Sequence, residues 1–135
     1  MEHIHPSYTL GDTIAAVATP PGDGGVAIVR VCGKEAFSVV EKLFAGPVSS
    51  APSHTAHYGK IHNLQGEYLD DVLILVFQGK RSFTGENTVE ILCHGGRLIT
   101  RRILEAVLSA GARTALPGEF SFRAFVHGKI DLAQA

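Results

Sequence analysis

The sequence predicts a mixed α/β fold of the α+β type, with one β-sheet flanked by helices. Three observations predict it. β-branched runs such as residues 26–31 (VAIVRV) alternate with segments of helical apolar spacing such as residues 95–110. Residues 56–77 read as two strands around a turn, an antiparallel hairpin that rules out a wholly parallel sheet. The 135 residues suffice for one domain and are too few for two well-packed ones.

Each element has its own reason. Residues 1–11 are polar and contain Pro6 and Gly11, a leader. Residues 12–18 are small and apolar, a strand, and residues 19–25 (TPPGDGG) are a turn cluster. After the strand at 26–31, apolar residues at 36, 39, 40, 43 and 44 give a helix over 33–44. A Pro/Ser loop at 46–53 precedes strands at 56–62 and 68–77, and a polar loop at 78–86 leads to a strand at 87–94. Apolar residues at 98, 99, 103, 104, 107 and 108 give a helix over 95–110, closed by Gly111. A short extended segment at 113–116 is followed by a helix over 117–126. Asp131 suits the N-cap of a further helix. The chain stops within the first turns of that helix, too short to be stable alone, so it reads as a truncation. The expected order is β-β-α-β-β-β-α-β-α.

Composition narrows the function. An apolar fraction of 45% with 19% charged residues is that of an ordinary globular domain. A net charge of -1 argues against non-specific nucleic-acid binding, which needs a surplus of Lys and Arg. Cys32 and Cys93 make neither a disulfide scaffold nor a CxxC pair. The first ten residues lack the apolar core of a secretory signal, and the longest apolar run, 72–77, is too short to span a bilayer. A reducing, cytoplasmic location is expected.

Most local motifs read as structure. The glycines at 22, 24 and 25 precede a strand, not the helix a phosphate loop needs, so a tight turn is expected. No GxxxxGK[ST] pattern occurs, so no P-loop GTP site is expected in this chain. His94-Gly95-Gly96 resembles an oxyanion loop, but no GxSxG elbow accompanies it, and close backbone approach is the better reading. The seven histidines lack ligand spacing, so no metal site is assigned. Arg97, Arg101 and Arg102 fall on one helix and could meet phosphate, although a solvated face fits the near-neutral whole.

Arg30, Glu90 and Lys129 stand out. Arg30 and Glu90 interrupt apolar strands and Lys129 lies between two expected helices. Such a charge either faces water by strand alternation or needs a partner, because burying it alone is costly. The residues by themselves leave both readings open.

Three blocks carry a resemblance: 12–33 (DTIAAVATPPGDGGVAIVRVCG), 82–96 (SFTGENTVEILCHGG) and 115–135 (ALPGEFSFRAFVHGKIDLAQA). Together and in this order they resemble the N-terminal domain of the MnmE (TrmE) family of tRNA modification GTPases. The resemblance implies a fold similar to the tetrahydrofolate-binding domain of aminomethyltransferases. It implies a folate-binding and dimerisation domain over 12–126, the start of a truncated helical domain at 127–135, and a G domain outside this chain. Family members modify the wobble uridine of certain tRNAs with a flavin-dependent partner, MnmG (GidA). The implied cofactor is a tetrahydrofolate derivative, 5-formyl- or 5,10-methylene-tetrahydrofolate. GTP, Mg and K would be bound by the parent protein beyond this chain, and tRNA would be met through the parent complex.

The resemblance assigns Arg30, Glu90 and Lys129 to the folate site and no catalytic residue to this chain. One carboxylate can accept the side-by-side N–H and amino group of a pterin edge, and cations can hold the carboxylates of the glutamate tail. Glu90 is therefore expected at the pterin and the two cations at the tail. Cys32-Gly33-Lys34 lacks the intervening residue of the family's C-terminal Cys-Xaa-Gly-Lys motif, so Cys32 is expected only to close a strand. The alternatives are a dimerisation scaffold without folate binding and a free-standing folate enzyme of the aminomethyltransferase type.

Overall fold

In the computed structural model, which describes residues 12–19 and 25–128, the strands and helices follow the expected order. They are β1 (Ile14–Val17), β2 (Ala27–Cys32), α1 (Ala36–Glu41), β3 (Thr55–His62), β4 (Tyr68–Phe77), β5 (Thr88–Cys93), α2 (Gly96–Ser109), β6 (Arg113–Thr114) and α3 (Glu119–Val126). The six strands form one sheet in the order β3-β4-β5-β2-β1-β6. Every pairing is antiparallel except β1 with β6, which makes the sheet mixed, as the sequence predicts. The leader, the glycines at 22 and 24, Lys129 and the helix expected from Asp131 lie outside the described residues.

One helix is shorter than its periodicity suggests. The apolar spacing runs from 33 to 44, but α1 covers only Ala36–Glu41. At its start Gly33, with φ +137°, lies so close to Asp12 and Thr13 that a Cβ would sit 2.6 Å from the Asp12 carbonyl. At its end Phe44 leaves the helix to bridge Ile61 of β3. Both ends are decided by tertiary contacts, which override local spacing. Gly95 behaves as expected of a close approach: a Cβ there would meet Ile99 at 2.5 Å, just as α2 begins.

The sheet's two faces differ. On one, Val29 and Val31 of β2, Val72, Ile74 and Val76 of β4 and Val89 and Ile91 of β5 join Val39 and Val40 of α1 and Ile103 and Val107 of α2 in the main core. Full burial of each such side chain stabilises by about 1.5–3 kcal/mol relative to exposure. The other face is organised in rows set by strand register. One row is apolar: Tyr58, Leu73, Leu92 and Ile28, each opposite the next across β3, β4, β5 and β2. The adjacent row runs Ala56, Leu75, Glu90, Arg30 and Ala16, reaching β1. A third runs Phe77, Thr88, Cys32 and Ile14. Helix α3 lies on this second face at its β1–β2 end, where Phe120 sits 5.3 Å from the Arg30 guanidinium.

Candidate functional site

Arg30 and Glu90 are direct partners across β2 and β5, so their side chains leave the same face at the same height. Arg30 Nε donates to Glu90 Oε2 at 2.9 Å. The side chains keep 26% and 17% of their surface open to solvent. The pair is thus partly desolvated yet still reachable. Phe120 of α3 supplies a second partner by placing its ring against the guanidinium, a contact that strengthens as water is excluded. Neither strand charge is solitary, and the choice between a water-facing charge and a partnered one resolves towards the partner.

Arg30 also lines an open pocket of about 610 Å³ with Ala16, Val17, Phe83, Leu116 and Phe120. This volume falls within the range of roughly 300–1,000 Å³ usual for small-molecule sites. Small residues make it possible: Ala16 stands next to Arg30 in its row and Ala18 follows β1, so little side chain rises from the sheet there. Glu90 is tied to the pocket through Arg30. Arg30 and Glu90, which charge alone placed at opposite ends of an extended ligand, stand side by side 2.9 Å apart.

A second ionic cluster adjoins the first, and sequence reasoning missed it. Arg113 grips Glu119 with two bonds, Nη1 to Oε1 at 2.9 Å and Nη2 to Oε2 at 2.6 Å, while its Nε donates to Asp12 Oδ2 at 3.1 Å. Arg123 Nη1 donates to Glu86 Oε1 at 2.7 Å and to the Asp12 carbonyl at 2.6 Å. Its Nη2 lies 3.4 Å from Glu119, one helical turn earlier. The side chains of Arg123 and Glu119 are wholly buried. Burial pushes the Glu119 carboxyl up, but Arg113, the Leu116 N–H and Arg123 together bring it below its ordinary value. Bonds to Glu119 raise Arg113 despite partial desolvation. These bonds pin α3, β6, the start of β1 and the 82–87 loop together. The Glu119/Arg123 spacing of four residues was the available signal, but it says nothing of Glu86 or Asp12.

Cys32 closes β2, as expected. It is fully buried, its thiol 3.0 Å from Thr84 Oγ1, and burial pushes it up to about 11. Among the described residues no group of three or more His, Cys, Asp or Glu side chains could hold a metal ion. No helix of the described residues is long and apolar enough to cross a membrane.

The fold and site thus define an α/β domain with an ion pair at the wall of an aromatic-lined pocket. A family profile described as "GTP-binding protein TrmE N-terminus" matches residues 13–129. The chain is 65% identical over all 135 residues to a tRNA modification GTPase MnmE of Protochlamydia amoebophila, covering 30% of that protein. It is 59% and 57% identical over 124 residues to proteins of the same name from Chlamydia felis and Chlamydia caviae, covering 92% of this chain and 28% of each relative. The chain therefore spans less than a third of the length of these relatives. It belongs to the TrmE N-terminal family.

Proposed function

We propose that this domain binds a reduced folate, 5-formyl- or 5,10-methylene-tetrahydrofolate, and self-associates as part of a tRNA-modifying GTPase. The observation that carries the folate reading is the Arg30–Glu90 pair at the wall of a pocket lined by Phe83 and Phe120. In this reading Glu90 accepts from the pterin's adjacent N–H and amino group. Arg30 orients Glu90 through the bond from its Nε at 2.9 Å. Lys129 is left as the cation for the glutamate tail. No step of chemistry is assigned to these groups; they bind and orient. The relatives' name, a tRNA modification GTPase, supports the wider reading of a parent that hydrolyses GTP in a G domain outside this chain; Mg and K at that domain rest on the resemblance alone. The parent would act in the cytoplasm on the wobble uridine of tRNA with a flavin-dependent partner of the MnmG type.

Self-association is supported by the apolar row. Tyr58 is 70% exposed, and Leu73, Leu92 and Ile28 beside it are only half-buried. A second copy laid across this row would bury it, and the pocket lies at its margin. Isothermal calorimetry with 5-formyltetrahydrofolate tests the folate reading: a folded sample that gives no binding heat overturns it. Sedimentation of wild type and Leu73→Glu tests self-association. A wild-type monomer would overturn that part, and a folate-binding monomer would separate the two roles. A dimer that binds no folate would favour the scaffold reading.

A further inference from the structure

Phe83 sits in the 82–87 loop between two buried neighbours. Ser82 and Thr84 are 3% and 0% exposed, whereas Phe83 is 54% exposed. The flanks are fixed by short polar contacts. Ser82 Oγ accepts the Gly85 N–H at 3.0 Å and lies within bonding distance of the Gly79 and Glu86 carbonyls, donating to one at a time. Thr84 Oγ1 meets the Cys32 thiol at 3.0 Å and accepts the Glu86 N–H at 3.3 Å. Gly85, with φ +85°, packs so tightly that a Cβ would fall 2.5 Å from the His127 side chain. Glu86 then joins the loop to α3 through Arg123. A backbone held this firmly presents its side chain with little conformational entropy left to lose on binding.

The ring it presents faces the pocket. Phe83 lines the same cavity as Arg30 and Phe120. Phe120 is already committed to the Arg30 guanidinium. Among the described residues neither another ring nor a cation lies against Phe83. A half-exposed aromatic ring on a pinned loop, at the wall of a pocket whose ion pair reads one edge of a ligand, is placed to cover a flat face.

We propose that Phe83 is a specificity-determining contact of this site, stacking on the pterin ring whose edge the Arg30–Glu90 pair reads. This rests on the folate reading above and adds which part of the ligand enters the pocket. The Arg30–Glu90 pair sets the ring's hydrogen-bonding edge, and Phe83 selects for planarity and aromaticity. The p-aminobenzoyl-glutamate portion then points away from Phe83.

The test uses the full 135-residue chain, which contains no tryptophan. Phe83→Trp therefore introduces a single indole reporter at the proposed contact. Phe83→Ala should weaken 5-formyltetrahydrofolate by roughly 10- to 100-fold in calorimetry, the scale of one lost ring-on-ring stack. Phe83→Tyr, which keeps the ring, should stay within about threefold of wild type by the same reasoning. Unchanged circular dichroism and melting would show that the loop still folds. Indole emission of the Phe83→Trp variant should change with a free pterin and stay constant with p-aminobenzoyl-glutamate. Wild-type affinity in Phe83→Ala, or a reporter answering only to p-aminobenzoyl-glutamate, overturns the proposal while leaving folate binding intact. A wild-type chain that binds no folate removes the folate reading and this inference together.

Discussion

Two ionic groups share the second face of the sheet, and they are built in opposite ways. The Arg30–Glu90 pair is a single contact between partly open side chains on neighbouring strands. The cluster around Arg123 and Glu119 joins two wholly buried side chains to Glu86, Arg113 and Asp12, drawn from four separate segments. Water and solute reach the open pair, whose side chains are 26% and 17% exposed. At the centre of the cluster, Arg123 or Glu119 left alone in the interior would cost several kcal/mol, while Arg113 and Asp12 at its edge stay 33% and 45% exposed. The burial of Arg123 and Glu119 separates a cluster that fixes the position of α3 from a pair left within reach of solvent.

The largest effect expected of this difference is on stability. Arg123→Met should lower unfolding free energy in urea by about 3–5 kcal/mol, because Glu119 and Glu86 lose a buried partner. Loss of less than about 1 kcal/mol would place the cluster with ordinary surface pairs. Glu90→Gln should do the reverse: stability should move by no more than about 1 kcal/mol, while folate affinity falls roughly 10- to 100-fold. Equal losses in both would erase the distinction between the two groups.

Acid provides a finer test. The Glu119 carboxyl is held below its ordinary 4.5, so its contribution is fully present above that value. It is lost as pH falls through the lower folded value. Wild type should therefore shed stability below about pH 4.5 more steeply than Glu119→Gln, as equilibrium unfolding between about pH 6 and 3 would register. The smallest expected signal is chemical. The thiol of Cys32, raised to about 11, should resist iodoacetamide at about pH 8 in the folded chain and react readily in urea.

The sheet and its helices were largely legible because strand and helix periodicities are local properties. Runs such as VAIVRV and TVEILC name their strands without help from the rest of the chain. Where a boundary depended on distant atoms, as at Gly33 and Phe44, periodicity overran it. Arg30 and Glu90 stood out as charges in apolar strands, but only register could reveal that they are opposite each other 60 residues apart. Phe83 and Phe120 carried no signal, since an aromatic residue in a loop or amphipathic helix has many uses. Arg123 looked like an ordinary helical cation until the fold enclosed it.

The bond from Arg123 to the Asp12 carbonyl spans 111 residues. The strand that follows Asp12, β1, has only its β2 edge satisfied until Arg113 and Thr114 arrive to pair with its other side. The second edge of β1 is therefore satisfied only after nearly the whole described domain has been made, with α3 following. Such non-local closure is slow and entropically costly. The pocket beside Arg30 takes much of its lining, residues 115–121, from the segment that follows β6, so that wall belongs to the part of the domain made after the main core.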